Sequence, residues 1–381
     1  MNNQLLIRNC RLYNKLDISV NILVSKGIIT AIGDIDVINK NCKIMDACNK
    51  IAAPGFIDLH IQGAGGSDIL DGSREAIQKI SSTLAKFGTT SFLATTVMKP
   101  KEKNKHLKIA AELTNSEMEG ANLLGIHIEG PFINPVKKGG IDPASIYNST
   151  AKRMDEILKI TNGNLKMMTI APELKGNIEI IERLLQNNVV ASFGHSDAEY
   201  STAKECFEIG VKHVTHLFNA MRPLHHREPG PIAAIFENNL VTTQIISDGH
   251  HIHPSIVNLI YRNIGASRCV CITDGVQAMG LPEGNYKYNG KDYISKNGAA
   301  RYKDGTLIGS TMPLNKIAFS FMKFTGCSFE EAVETVSLNP ARVINTHHRK
   351  GTLEPGKDAD IVLIDKEFNV YSTIINGKLI N

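Results

Sequence analysis

Eight apolar runs of strand length, each followed by a stretch of helical periodicity, constrain this chain more than any other feature. They are FIDLHIQ (56–62), TTSFLATT (89–96), NLLGIHIEG (122–130), LKMMTIAPE (165–173), VVASFGHS (189–196), VKHVTHLFN (211–219), LVTTQIISDG (240–249) and RCVCITDG (268–275). Short apolar runs alternating with helix-period segments are the sequence form of repeated βα units. Eight such units predict an α/β fold closed into a distorted (β/α)8 TIM barrel, with a doubly wound open sheet as the competing arrangement.

The two ends read differently. LLIRNCRLYN, SVNILVSKGIITAIG and CKIMDACNKIAAPG alternate apolar and polar residues between turn signals, and GKDADIVLIDKEFNVYSTIINGKLIN does the same at the carboxyl end. Period-two alternation predicts short antiparallel strands. We expect a small β-sandwich domain assembled from residues 1–53 and 346–381, beside a barrel of residues 54–345. The length of 381 residues accommodates both, since such barrels take about 250 residues.

Charge and cysteine usage narrow the function class. The net charge of +4 comes from 42 Lys+Arg and 38 Asp+Glu scattered along the chain, and the one dense run, KPKEKNKHLK at 99–108, reads as a solvated helix start. No basic stripe with interleaved aromatics is present, so no nucleic-acid partner is expected, and the mild positive balance suits a small anion. Seven cysteines form no CxxC pair and no disulfide framework; Cys269 and Cys271 read as small packed hydrophobes. No apolar stretch reaches about 18 residues and the first residues lack a cleavage signal, so no membrane contact and a cytoplasmic location are expected.

Polar residues collect at the strand ends, where a barrel of this kind opens its loops. His60 ends the first strand, Glu129 the third, His195 the fifth and His216 the sixth; Asp248 and His251 follow the seventh, and Asp274 ends the eighth. Two histidines and a carboxylate from separate strands can hold a catalytic divalent ion with a position left for water, and Glu129, His195 and His216 supply that set. Asp274 is suited to general acid–base work, with further metal ligation as its competing role. The run CVCIT before it predicts an apolar neighbourhood that tunes its pKa. His127 is either a partner to a ligand or a packed residue, and His225 and His226 read as exposed loop residues.

With these residues in view, the chain resembles the amidohydrolase superfamily and, within it, the N-acetylglucosamine-6-phosphate deacetylases. PGFIDLHIQG, GIHIEGPFINPVKKG, FGHSDA, THLFNAMRPLHHREPG, SDGHHIHP, TDGVQAMG and GTLEPGKDADIVLID carry the resemblance over nearly the whole length. It implies hydrolysis of the acetamide of N-acetylglucosamine 6-phosphate to glucosamine 6-phosphate and acetate. It also implies that Glu129, His195 and His216 bind the ion, that Asp274 is the acid/base, and that His251 polarises the acetyl carbonyl and contacts the sugar. Gly140, Ile141, Asn219, Ala220, Leu307, Ile308 and Gly309 align with substrate-lining positions. Arg227 aligns with the arginine that grips the phosphate across the boundary of a homodimer. One divalent ion per subunit is expected, Zn2+ first, with Fe2+, Mn2+, Co2+ or Ni2+ also compatible with the donor set.

Two departures from the family pattern bear on chemistry. Ile141 stands where the family usually has a polar residue, which leaves the galactosamine epimer open as an alternative substrate. LHIQG replaces a His-x-His pair with His60 and Gln62; Gln62 is a weak ligand, so a second metal is not expected. His60 is then a lone imidazole at the mouth, hydrogen-bonded to Asp274 or water, and Gln62 a hydrogen-bond partner for substrate. A sugar-phosphate binding protein without turnover is the alternative from a different class.

Overall fold

The computed structural model describes residues 4–35, 42–99, 101, 103–288 and 290–380. The amino-terminal segment forms β1 (Gln4–Leu12), β2 (Lys15–Ser25), β3 (Ile28–Gly33), β4 (Lys43–Asp46) and β5 (Ile51–Pro54), and the carboxyl end forms β20 (Ile361–Ile364), β21 (Val370–Ile375) and β22 (Lys378–Ile380). All eight belong to one sheet in the order β22-β21-β20-β5-β1-β2-β3, with β4 also paired to β1. Ile7, Cys10, Ile22, Val24, Ile361, Leu363 and Ile374 form a core of their own there. The alternation at the termini predicts antiparallel pairing, and β1, β2 and β3 obey it, but β4 and β5 run parallel to β1. Alternation fixes which face is buried and leaves strand direction open.

The middle of the chain contains β6 (Phe56–Ile61), a two-residue pair β7 (Gly63–Ala64) and β8 (Ser67–Asp68), then β9 (Thr89–Thr96), β10 (Asn122–Glu129), β11 (Leu165–Ile170), β12 (Val190–Phe193), β13 (His213–Val214), β14 (Thr242–Ile245) and β15 (Cys269–Cys271). Strands β6 and β9 to β15 make a parallel eight-stranded sheet in chain order, one for each expected run. Between its two edges, Asp274 N–H donates to the His60 carbonyl at 2.9 Å and Gln62 N–H to the Gly275 carbonyl at 2.8 Å. The barrel therefore closes through the residues that end its first and last strands.

Helices such as Arg74–Ala85, whose Ser73 cap accepts from Ala76 N–H, bury Ile77, Ile80 and Leu84 on the outside of the sheet. The last strand departs from strand–helix alternation. After β15 the chain builds an antiparallel sheet from β16 (Gly284–Tyr288), β17 (Lys291–Lys296), β18 (Ala299–Tyr302) and β19 (Leu307–Ser310) before the helix Leu314–Thr325. Ser310 N–H donates to the Asp274 carbonyl at 2.9 Å, which seats this sheet on the carboxyl end of the barrel.

Candidate active site

The ligand-bearing strands stop early because the backbone turns where the functional side chains begin. His195, His216 and Asp274 have φ of 48°, 27° and 48°, and Phe218 and Ala220 have 75° and 52°. Left-handed backbone at residues with a Cβ costs about 1–3 kcal/mol each and persists where the surroundings hold it. Here it ends the ladder before His195 and His216 and directs them toward Glu129, the last residue of β10.

His195 donates Nδ1–H to the Lys137 carbonyl at 2.7 Å, so its Nε2 carries a lone pair inward. His216 Nε2 lies 3.0 Å from that atom, and Glu129 Oε1 is 3.0 Å from His195 Nε2 and 2.9 Å from His216 Nε2. Burial lowers the pKa of His216 against the pull of Glu129. Burial opposes ionisation of Glu129, yet His60 and the bonds from His195 and His216 hold it well below the usual carboxylate range. The three ligand atoms lie within 4.8 Å of one another, all on buried residues. Two inward imidazole nitrogens and a carboxylate oxygen this close repel one another unless a proton or a cation stands among them. The set fits a divalent transition ion.

Asp274 adjoins this cluster. Its Oδ1 accepts from Gln62 Nε2 at 3.2 Å and faces His60 Nε2 at 3.4 Å, while Oδ2 faces His251 Nε2 at 3.6 Å. The expected apolar neighbourhood is therefore replaced by donors: burial raises the Asp274 pKa, but His251 and His60 prevail and lower it. His251 is itself anchored, with Nδ1 2.7 Å from Asp248 Oδ2. Burial works against its charge, and Asp248 and Asp274 raise it to about 9.

His60 is fully buried beneath the cluster and not at the mouth. Its Nδ1 donates to Gln244 Oε1 at 3.1 Å, and its Nε2 is 3.6 Å from Glu129 Oε1. Burial disfavours its charge, but Glu129 and Asp274 raise it to about 9. His127 packs below, bonded to Thr169 Oγ1 at 2.9 Å and to the Leu59 carbonyl at 3.2 Å.

A cavity of about 150 Å³ opens over the cluster, and Gly140, Ile141, Asn219, Ala220, Leu307 and Ile308 line it together with Gln62, Glu129, His195, His216, His251 and Asp274. Besides His60, two sequence candidates stand outside its wall. Arg227 is exposed on its loop, as are His225 and His226. Gly309 packs behind the wall at φ +149°, where a Cβ would come within 2.6 Å of the Asp274 carbonyl oxygen. A larger cavity of about 610 Å³ lies at the amino ends of the strands, and its lining includes Lys166, His213 and Asn339 but no carboxylate.

Tyr288, Asp58 and Gln244 also shape the site and carry no motif signal. Asp58 accepts from Thr273 Oγ1 at 2.5 Å and from His60 N–H at 3.1 Å. Its position two residues before His60 on the same strand face was the available clue.

A model of the amidohydrolase family matches residues 51–380, and the chain belongs to that family. Among curated relatives, the N-acetylglucosamine-6-phosphate deacetylase of Bacillus subtilis is 36% identical over 346 residues, 88% of this chain and 86% of the relative. The N-acetylgalactosamine-6-phosphate deacetylase of Escherichia coli O157:H7 is 32% identical over 357 residues, 93% of each. Among solved structures, an aspartate-to-alanine mutant of the Mycobacterium smegmatis N-acetyl-D-glucosamine-6-phosphate deacetylase, in complex with N-acetyl-D-glucosamine 6-phosphate, superposes with a TM-score of 0.90. It shares 26% identity with this chain and covers 100% of it and 99% of its own length.

Proposed function

We infer that this chain is a metal-dependent deacetylase that hydrolyses N-acetyl-D-glucosamine 6-phosphate to D-glucosamine 6-phosphate and acetate, a step of amino-sugar catabolism. The convergence of Glu129, His195 and His216 beside Asp274 carries the reading. A divalent ion held by those three residues would supply the Lewis acidity that makes water a nucleophile near neutral pH. Zn2+ is our first choice of ion.

The chain's own residues account for the proton movements. Asp274, kept ionised by His60 and His251, accepts a proton from the attacking water as the new C–O bond forms. His251, fixed by Asp248, offers Nε2–H toward the acetyl oxygen as charge builds on it. Asp274 then returns its proton to the amide nitrogen, the C–N bond breaks, and acetate and the amine leave. Asn219 and Ala220 on one wall and Gly140, Ile141, Leu307 and Ile308 on the others would hold the sugar.

Arg227 lies outside the cavity of its own chain. We propose that it serves the 6-phosphate in a neighbouring subunit, through the paired bonds an arginine fork makes to a phosphate. Among the described residues no helix is long and apolar enough to cross a membrane, and all seven cysteines are free. We propose a cytoplasmic homodimer.

Purified, metal-loaded protein is expected to release one acetate per glucosamine 6-phosphate, and absence of release would sink the reading. The galactosamine epimer is a second candidate, favoured by Ile141, a buried side chain packed with Val97 and Ile133 that offers the sugar no donor. The ratio of kcat/KM for the two epimers decides between them.

A further inference from the structure

Tyr288 stands on β16, outside the barrel sheet, and its hydroxyl donates to Gln62 Oε1 at 2.5 Å. Gln62 Nε2 in turn donates to Asp274 Oδ1 at 3.2 Å. The amide orientation follows from its two neighbours. Reversed, it would set a carbonyl oxygen against a carboxylate oxygen.

We propose that Tyr288 is a positioning residue for the deacetylation: it locks Gln62 in the orientation that donates to Asp274 Oδ1, and so leaves Oδ2 as the oxygen that exchanges protons. The proposal rests on the reading of Asp274 as the proton carrier. Three observations support it. The backbones at both ends of the link are already fixed in the closing seam of the barrel, through Gln62 N–H to Gly275 and Asp274 N–H to His60. The remaining freedom is rotation of the Gln62 side chain, and the Tyr288 hydroxyl removes it. Oδ1 is engaged by Gln62 and faced by His60, whereas Oδ2 faces His251 at the cavity. Burial first, and the charges of Asp68, Glu129 and Asp274 after it, keep the Tyr288 phenol protonated well above its ordinary range, so it remains a donor throughout the working pH.

Gln62 thus gains a role beyond the one its place in LHIQG suggests: it links the inserted sheet to the base.

The test compares Tyr288→Phe, Gln62→Leu and the double variant as metal-loaded proteins, with kcat, KM, metal content and thermal midpoint measured for each. Each single change is expected to lower kcat roughly tenfold, the scale of one hydrogen bond to a charged group. KM should stay within about twofold and metal content at the wild-type level. The double variant should be no slower than Gln62→Leu, because Tyr288 acts only through Gln62. Losses that multiply in the double variant, a change in KM alone, or an unchanged kcat in Tyr288→Phe would overturn the proposal. Should Gln62→Leu fail to fold, Gln62→Met serves in its place. Wild-type turnover by Asp274→Asn would instead overturn the underlying role of Asp274, whatever Tyr288 does.

Discussion

His60 and His213 are both buried in the lumen of one barrel, yet their proton affinities move in opposite directions. His60, beside Glu129 and Asp274, rises to about 9. His213 sits at the amino end with Nδ1 2.7 Å from the Thr242 hydroxyl, and burial lowers it to about 3, with the charge on His60 adding to the effect. Its neighbour in kind, His127, bonds a hydroxyl and a carbonyl and is also lowered, by burial first and His60 next. Burial alone keeps an imidazole neutral; two carboxylates reverse the sign at His60, as at His251, whereas His216 stays lowered with Glu129 alone at 2.9 Å. The two carboxylates at the carboxyl end therefore mark where charge is put to use, and His127 beneath them and His213 at the amino end are histidines that pack.

Removing a carboxylate is the strongest way to break this contrast. Asp274→Asn is expected to lower kcat by about 10²–10⁴-fold, the usual contribution of a positioned acid/base, with the thermal midpoint retained. It should also bring the pKa of His60 down toward that of a buried neutral histidine, which histidine NMR titration would detect. A normal rate in this variant would remove Asp274 from the mechanism.

Two alanine variants should fail in different ways. His127→Ala removes a packed, hydrogen-bonded ring and should cost about 2–5 kcal/mol in denaturant unfolding. Metal content should stay at the wild-type level. His216→Ala should lower metal affinity by more than the about 10–100-fold that loss of an outer-shell partner costs, as read by elemental analysis after dialysis. If His127→Ala loses metal first, the division between the charged cluster and the packed rings is wrong.

Gly309→Ala tests how tightly the inserted sheet presses on the site. The added Cβ meets the Asp274 carbonyl in a backbone conformation that disfavours any side chain, and about 1–3 kcal/mol of stability should be lost along with part of kcat.

The last contrast concerns pH. His213 binds its proton near 6.5 when unfolded and near 3 when folded, so between those values the unfolded state holds more protons. Its contribution to stability is present above pH 6.5 and lost as pH falls toward 3, by about 1.4 kcal/mol per unit at most. The stability of wild type relative to His213→Phe should decline over that window, and parallel curves would contradict the assignment.

Much of this was legible in the sequence. All eight runs became barrel strands because a strand buried on both faces must be apolar throughout. Their lengths were not legible: VKHVTHLFN suggests nine residues, but pairing in β13 ends at Val214. Apolar character reports burial, and the turn into left-handed backbone at His216 leaves no trace in it. At the site, strand-end position located the polar cluster, since His195, His216, Glu129 and Asp274 each end an apolar run. The contacts around it were hidden. Tyr288 lies in GNYKYNGKDY, outside every run and motif singled out in the sequence, and its link to Gln62 spans 226 residues of sequence. His60 read as a residue of the mouth because it ends its strand, and only closure of the barrel over it by Asp274 buries it.

The central claim is one catalytic ion, held by Glu129, His195 and His216, in a deacetylase whose His60–Gln62 pair holds no second. Titrating metal-free protein with Zn2+ while measuring acetate release from N-acetylglucosamine 6-phosphate tests it directly. Activity is expected to rise in proportion to bound ion and to level off at about one per chain. Full activity reached only near two ions per chain, or no acetate at any loading, would contradict it.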